Sequence, residues 1–206
     1  MENVIPEDPT SETLKRLIVD ASIARAAGRE RTAELPLLDT IVTTPKNCRD
    51  LLNAVLRLGF RMTMTPEIVR EWDDHQGSFA LGWRVAMRTA GKIEIRPSCR
   101  SGELREAITG MAGQQIGKVR VTEDVCRIML KDCHLLEAAL ETDKIILALD
   151  EKARNPMRTT AQVIEAIRQI VWVNPDKPEE QAIAWLEAGA TPEKHRQLGF
   201  RHERVP

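Results

Sequence analysis

Residues 131–151, KDCHLLEAALETDKIILALDE, change period halfway through. In the first half Leu136, Ala139 and Leu140 return every three or four positions, as on one face of a helix. The second half, KIILAL, is a continuous apolar run of strand length, the pattern of a strand buried on both faces. Two aspartates interrupt this reading. A helix traced back to Thr122 has Val125, Ile128 and Met129 on its apolar stripe, and the position joining 128 to 136 on that stripe is Asp132. An ionised carboxylate there costs stability unless it is paired, hydrogen-bonded or bound to a cation. Asp150 closes the strand.

Working outward, four further runs have strand length and composition: LKRLIV (14–19), FRMTM (60–64), KIEIR (92–96) and IVWVN (170–174). Helical stretches separate them, with Thr44-Pro45, Thr65-Pro66 and Thr191-Pro192 as expected starts, because Thr can cap free amides and Pro fits the first turn. The fifth strand is expected to follow a helix TTAQVIEAIRQ, and ARAAGRERTAELPLLDT (24–40) is expected to be a long surface loop. Strands alternating with helices predict an α/β fold: a three-layer α/β/α sandwich on a mainly parallel five-stranded sheet. The expected division is a tail over 1–13, a domain over 14–175 and a helical extension over 176–206, with Ile183, Trp185, Leu186, Leu198 and Phe200 covering the core or forming an interface.

Ligands of open parallel sheets bind beyond the carboxyl ends of the strands. Asp20 directly follows LKRLIV and Asp150 directly follows KIILAL, so parallel strands place both at one edge. A single aspartate at such a position is commonly a helix cap; two at one edge, with Asp132, suggest a site. Glu71, one turn into the helix opened by Thr65-Pro66 and ahead of Asp73 and Asp74, is a fourth acid.

The order of strand-end Asp, helical Glu, helical Asp and strand-end Asp, carried by LIVDAS, TMTPEIVREW and KDCHLLEAALETDKIILALDEKAR, resembles the PIN-domain nucleases over residues 14–175. The resemblance implies a metal-dependent endoribonuclease in which Asp20, Glu71, Asp132 and Asp150 bind Mg²⁺ or Mn²⁺, with Ser22 as an auxiliary polar residue. Ala148 departs from the Thr or Ser often found two positions before the last Asp. The chain is also longer than the compact toxin members, so RNA-processing and toxin-like roles both stay open. So does a catalytically silent RNA-binding or protein-interaction module. An aspartyl-phosphate phosphatase would need an Asp at position 22, and a dinucleotide enzyme a Gly-rich turn after the first strand.

All-oxygen carboxylate ligands suit Mg²⁺ or Mn²⁺, which can activate water and stabilise the leaving oxygen of a phosphodiester. Phosphate contacts are sought in residues 84–120, where eight basic residues face three acidic ones although the whole chain carries a net charge of -1. Arg84, Arg88 and Lys92, spaced by four, are the candidates. Aromatics make up only 3% of the chain, which leaves little for base stacking. His134 lies about 200° around a helix from Asp132, outside a shared site, and His75, His195 and His202 show no ligand spacing.

The 42% apolar and 30% charged content is that of a globular protein. No apolar run approaches the roughly 20 residues of a membrane span. MENVIPEDPTSET is acidic and contains proline, the wrong chemistry for a signal or transit peptide, so a cytoplasmic protein is expected. Cys48, Cys99, Cys126 and Cys133 form no CxxC pair and are expected to be free thiols. RNA is the expected substrate; a homodimer and an inhibitory protein partner remain open, and no membrane partner is expected.

Overall fold

Leu17, Ile18 and Val19 are fully buried in β1 (Arg16–Val19), as a strand covered on both faces requires. The computed structural model describes residues 15–28 and 43–201. After β1 come α1 (Ala21–Ala27), α2 (Thr43–Leu58), β2 (Arg61–Met64), α3 (Pro66–His75), α4 (Ser78–Thr89) and β3 (Ile93–Ile95). An insertion follows: α5 (Gly102–Thr109), the antiparallel pair β4 (Gln115–Ile116) and β5 (Val119–Arg120), then α6 (Glu123–Lys131). The chain continues through α7 (Cys133–Leu140), β6 (Ile145–Leu147), α8 (Glu151–Thr160), β7 (Val171–Val173) and α9 (Ala182–Glu187).

Five strands form one sheet in the order β3-β2-β1-β6-β7, all parallel. Ile18 is paired with Ile146 and Val19 with Leu147, so β1 and β6 end level with one another. Right-handed crossovers leave β1 toward β2 and leave β6 toward β7, in opposite directions, which puts their helices on opposite faces. The result is a three-layer α/β/α sandwich. Its strand order reverses between β1 and β6, the place where open parallel sheets form a crevice beyond their strand ends.

Several local expectations change. α2 begins at Thr43, and the Thr44 hydroxyl donates to Asp176 (2.7 Å) instead of capping. Thr65 is the residue before α3, but its side chain makes no cap bond. Thr191-Pro192 opens no α-helix; only a 3-10 turn, Lys194–Arg196, follows. The helix before β7 is α8, ending at Thr160, with a 3-10 turn at Glu165–Ile167 in place of the second half of TTAQVIEAIRQ. Residues 24–27, expected in a loop, finish α1, and 29–40 lie outside the described residues, as do Leu14 and the 1–13 tail.

The C-terminal segment packs on its own core. Trp185 and Leu186 of α9 are buried and α9 lies against α2, while Gln197 bridges to Val171 beside β7. The four cysteines are free thiols. Among the described residues no helix is long and apolar enough to cross a membrane.

Candidate functional site

Asp20 leaves β1 as the N-cap of α1, and Asp150 stands in the same relation to α8, where its Oδ1 accepts from the Ala153 amide (2.9 Å). Ser22 ties the two strand ends together. Its amide (3.2 Å) and its hydroxyl both donate to Asp20 Oδ2, and the hydroxyl accepts from the Leu149 amide (3.1 Å). The Asp20 amide donates to the Leu147 carbonyl (2.9 Å), carrying the β1–β6 pairing one step past the strand. The capping role that strand-end aspartates commonly take is therefore real for both residues, and it fixes them at the switch point of the sheet.

The helix expected to run unbroken from Thr122 is two helices. Asp132, at φ -99° and ψ 11°, ends α6 and precedes α7 without making a side-chain cap bond. An aspartate inside a helix competes poorly for helical geometry, because its short polar side chain favours non-helical backbone. The break shifts the buried face: Cys126 and Met129 are buried, Ile128 is 40% exposed, and Asp132 is half-buried rather than on a continuous apolar stripe. Burial pushes the Asp132 carboxyl up to about 6; Lys131 opposes the shift, and the charges of Asp20 and Asp150 add to it. Asp132 is thus within electrostatic reach of both strand-end aspartates. Burial likewise raises the Asp20 carboxyl above the usual range, against the two Ser22 hydrogen bonds and with a contribution from Glu71.

His134, expected outside a site shared with Asp132, makes its contacts to Lys131 and Glu71 instead. Only 7% exposed, it places Nδ1 3.2 Å from the Lys131 carbonyl and Nε2 3.2 Å from Glu71 Oε2. Both neighbours are acceptors, an arrangement that favours the doubly protonated ring. Burial works against this charge, but the hydrogen bond and charge of Glu71 outweigh it and raise the His134 pKa. Burial would raise Glu71 too, yet His134 holds its carboxyl below the usual range. Helical spacing from Asp132 could not reveal this residue, since the helix stops there; an Asp-Cys-His step after a well-capped helix is the signal that was available.

Glu71 is also held by its own helix. The Trp72 indole donates to the Val19 carbonyl (2.8 Å), anchoring α3 to the residue before Asp20, and stacks on Trp83 with ring centroids 5.7 Å apart. One turn earlier, Glu67 accepts from the Ser98 hydroxyl (2.7 Å).

Arg84, Arg88 and Lys92 do not join this edge. Lys92 precedes β3, at the amino end of the sheet, roughly 13 Å of strand away from the carboxyl edge. Its ammonium donates to the Gly59 carbonyl (3.1 Å), and Arg84 is engaged by Asp73 (2.6 Å). Only Arg88 is exposed, at the end of α4 near the same far edge.

The donor chemistry fits a hard divalent cation, because the groups at the site are carboxylate oxygens. Their arrangement is looser than their chemistry: among the described residues, no three Asp, Glu, His or Cys side chains gather into a metal-ligand set. Glu71 in particular is engaged by His134. No family model, curated protein or solved structure matches the chain.

Proposed function

We propose that this chain is a divalent-metal-dependent endoribonuclease of the PIN-like kind, acting in the cytoplasm on RNA phosphodiesters. The observation that carries the reading is the meeting of Asp20 and Asp150 at the β1/β6 switch point, within electrostatic reach of Asp132. Carboxylates that repel each other bind protons or cations in proportion to that repulsion. Asp20, Asp132 and Asp150 would hold Mg²⁺ or Mn²⁺, which supplies activation of water and stabilisation of the leaving oxygen. Ser22 holds Asp20 Oδ2 in place, the α8 cap holds Asp150, and the contact with His134 holds Glu71 below the usual carboxylate range and beside the site.

Purified protein with Mn²⁺ should cleave RNA, and Asp20→Asn should lower the rate at least about a hundredfold while the fold persists, since Asn also caps helices. Unchanged cleavage in that variant would defeat the assignment. The lack of a gathered ligand set favours a second reading, a silent PIN-like module that binds RNA or protein. Thermal shift separates the two: Mn²⁺ should raise Tm in the native chain and not in Asp20→Asn/Asp150→Asn, because only a site that binds the folded state stabilises it.

A further inference from the structure

Because Arg84, Arg88 and Lys92 stand away from the carboxyl edge, a nucleic acid that reaches Asp20, Asp132 and Asp150 meets like charge. A metal ion among the aspartates offsets the repulsion at the phosphate it touches. RNA carries a negative charge at every nucleotide, so the phosphates on either side need cations from the protein.

Two lysines are placed to supply them. Lys131 is the last residue of α6, directly before Asp132, and it is exposed. Its backbone is fixed: its carbonyl lies 3.2 Å from His134 Nδ1, and the other nitrogen of that ring lies 3.2 Å from Glu71 Oε2. One imidazole thus joins the Lys131 backbone to Glu71, and the Lys131 charge acts on both Glu71 and Asp132, lowering each against burial. Lys152 is exposed in the first turn of α8, two residues after the capping Asp150. α6 lies against α8, and Asp132 at the end of one is within electrostatic reach of Asp150 at the start of the other. Among the described residues neither ammonium has a hydrogen bond or an ion pair, whereas Arg105 and Arg154 are bound to buried glutamates.

Helix electrostatics accounts for only one of the two. A cation at the end of α6 favours its helix, but a cation in the first turn of α8 opposes the macrodipole. A lysine suits a phosphate as a compact point charge on a flexible stem.

We infer that Lys131 and Lys152 each hold a backbone phosphate of the RNA strand at the carboxylate edge, the contacts sought in the sequence at Arg84, Arg88 and Lys92. The inference deepens the ribonuclease reading and rests on it for the identity of the polymer.

The test is fluorescence anisotropy of the full chain with a single-stranded RNA dodecamer in EDTA, so that cleavage plays no part, over a range of salt concentrations. The slope of log affinity against log salt should shrink by about 0.7 in Lys131→Gln and by as much again in Lys131→Gln/Lys152→Gln, the value of one phosphate contact on a single strand. Lys131→Arg and Lys152→Arg should keep the native slope, and Arg88→Gln should not alter it. Lys152→Gln should bind RNA more weakly with no fall in Tm, a combination that a structural role would not produce. A native slope in the double Gln variant, a slope lowered equally by Arg88→Gln, or a native chain that binds no RNA would overturn the inference. Unchanged slopes with metal-dependent cleavage intact would remove the two contacts and leave the ribonuclease standing; the expected slopes in a chain that cleaves nothing would keep the contacts and defeat the ribonuclease.

Discussion

At the end of β7, the Arg154 guanidinium donates to Glu151 (3.1 Å), to Glu180 and to the Trp172 carbonyl (2.7 Å), and the Asn174 amide closes on Glu180 (2.9 Å). At the end of β1, two strand spacings or roughly 10 Å across the sheet, Asp20 has only Ser22 and an α-helix N-terminus. Both groups place carboxylates against the same sheet edge. In the first, every buried carboxylate meets a cation or an amide, and Glu151 is held below its usual range by Asn174 and Arg154 despite its burial. In the second, the carboxylates of Asp20 and Asp132 are raised, and the cations nearest Asp132 are Lys131 and His134. A compensated cluster is adhesive; an uncompensated one stores a preference for whatever positive species can reach it.

Breaking the compensated cluster should have the largest effect. Arg154→Met leaves Glu180 buried without its partner and should cost about 3–5 kcal/mol in urea unfolding. Much of that loss should return in Arg154→Met/Glu180→Leu, since an apolar pair needs no compensation. If the single variant unfolds at the native midpoint, the cluster is not the adhesive described.

The second cluster should be sharpened by pH. Asp132 is raised from 3.8 to about 6 in the folded state, so the penalty of ionising it is fully present above pH 6, shrinks as pH falls through 6 and vanishes below about 3.8. His134 is raised from 6.5, so its contribution is present below pH 6.5 and is lost as pH rises through its higher folded value. Glu71 is lowered from 4.5 and loses its contribution only as pH falls below that value. Between pH 8 and pH 5 the first two act together, and metal-free protein should gain roughly 1–2 kcal/mol, after allowance for the partial exposure of Asp132. Urea unfolding at several pH values reads this, and Asp132→Asn should flatten the part below pH 6. A native profile that falls steadily toward pH 5 would contradict it.

The smallest effects belong to the far edge of the sheet. Arg88→Ala should change RNA affinity less than about twofold, and Arg84→Ala should cost stability only the roughly 0.2–1 kcal/mol of an exposed ion pair with Asp73. A salt-dependence slope reduced by one in Arg88→Ala would show that RNA reaches that edge after all.

What was legible in the sequence divides along physical lines. Strands buried on both faces announce themselves as apolar runs, so β1 and β6, and with them the common edge of Asp20 and Asp150, could be read from residues 14–20 and 144–150, whereas the edge strand β3 showed only as the alternation KIEIR. The nearness of Glu71 and Ser22 to those ends was legible too, because both lie in regular structure beside them. The small β4–β5 pair was not, since two-residue strands around Gly117 carry no periodicity. The His134–Glu71 contact was not legible, because it joins side chains 63 residues apart and the helix break at Asp132 changes the direction of every later side chain. Arg84, Arg88 and Lys92 stand away from that edge. Their spacing suggested one face, but spacing says nothing of which end of the sheet a helix finishes at.

The register of Val19 against Leu147 also sets an order of assembly. β1 is the central strand, and β2 and β3 can pair beside it from nearby sequence, yet its other flank stays open until residues 145–147 arrive and close a loop of more than a hundred residues. Contacts of such long sequence separation form late in folding. A partly synthesised chain would therefore carry Asp20 and Glu71 with no Asp150 to face them. The two halves of the carboxylate centre meet only when the sheet is finished, so in time as well as space the last pairing of the fold is the first moment of its chemistry.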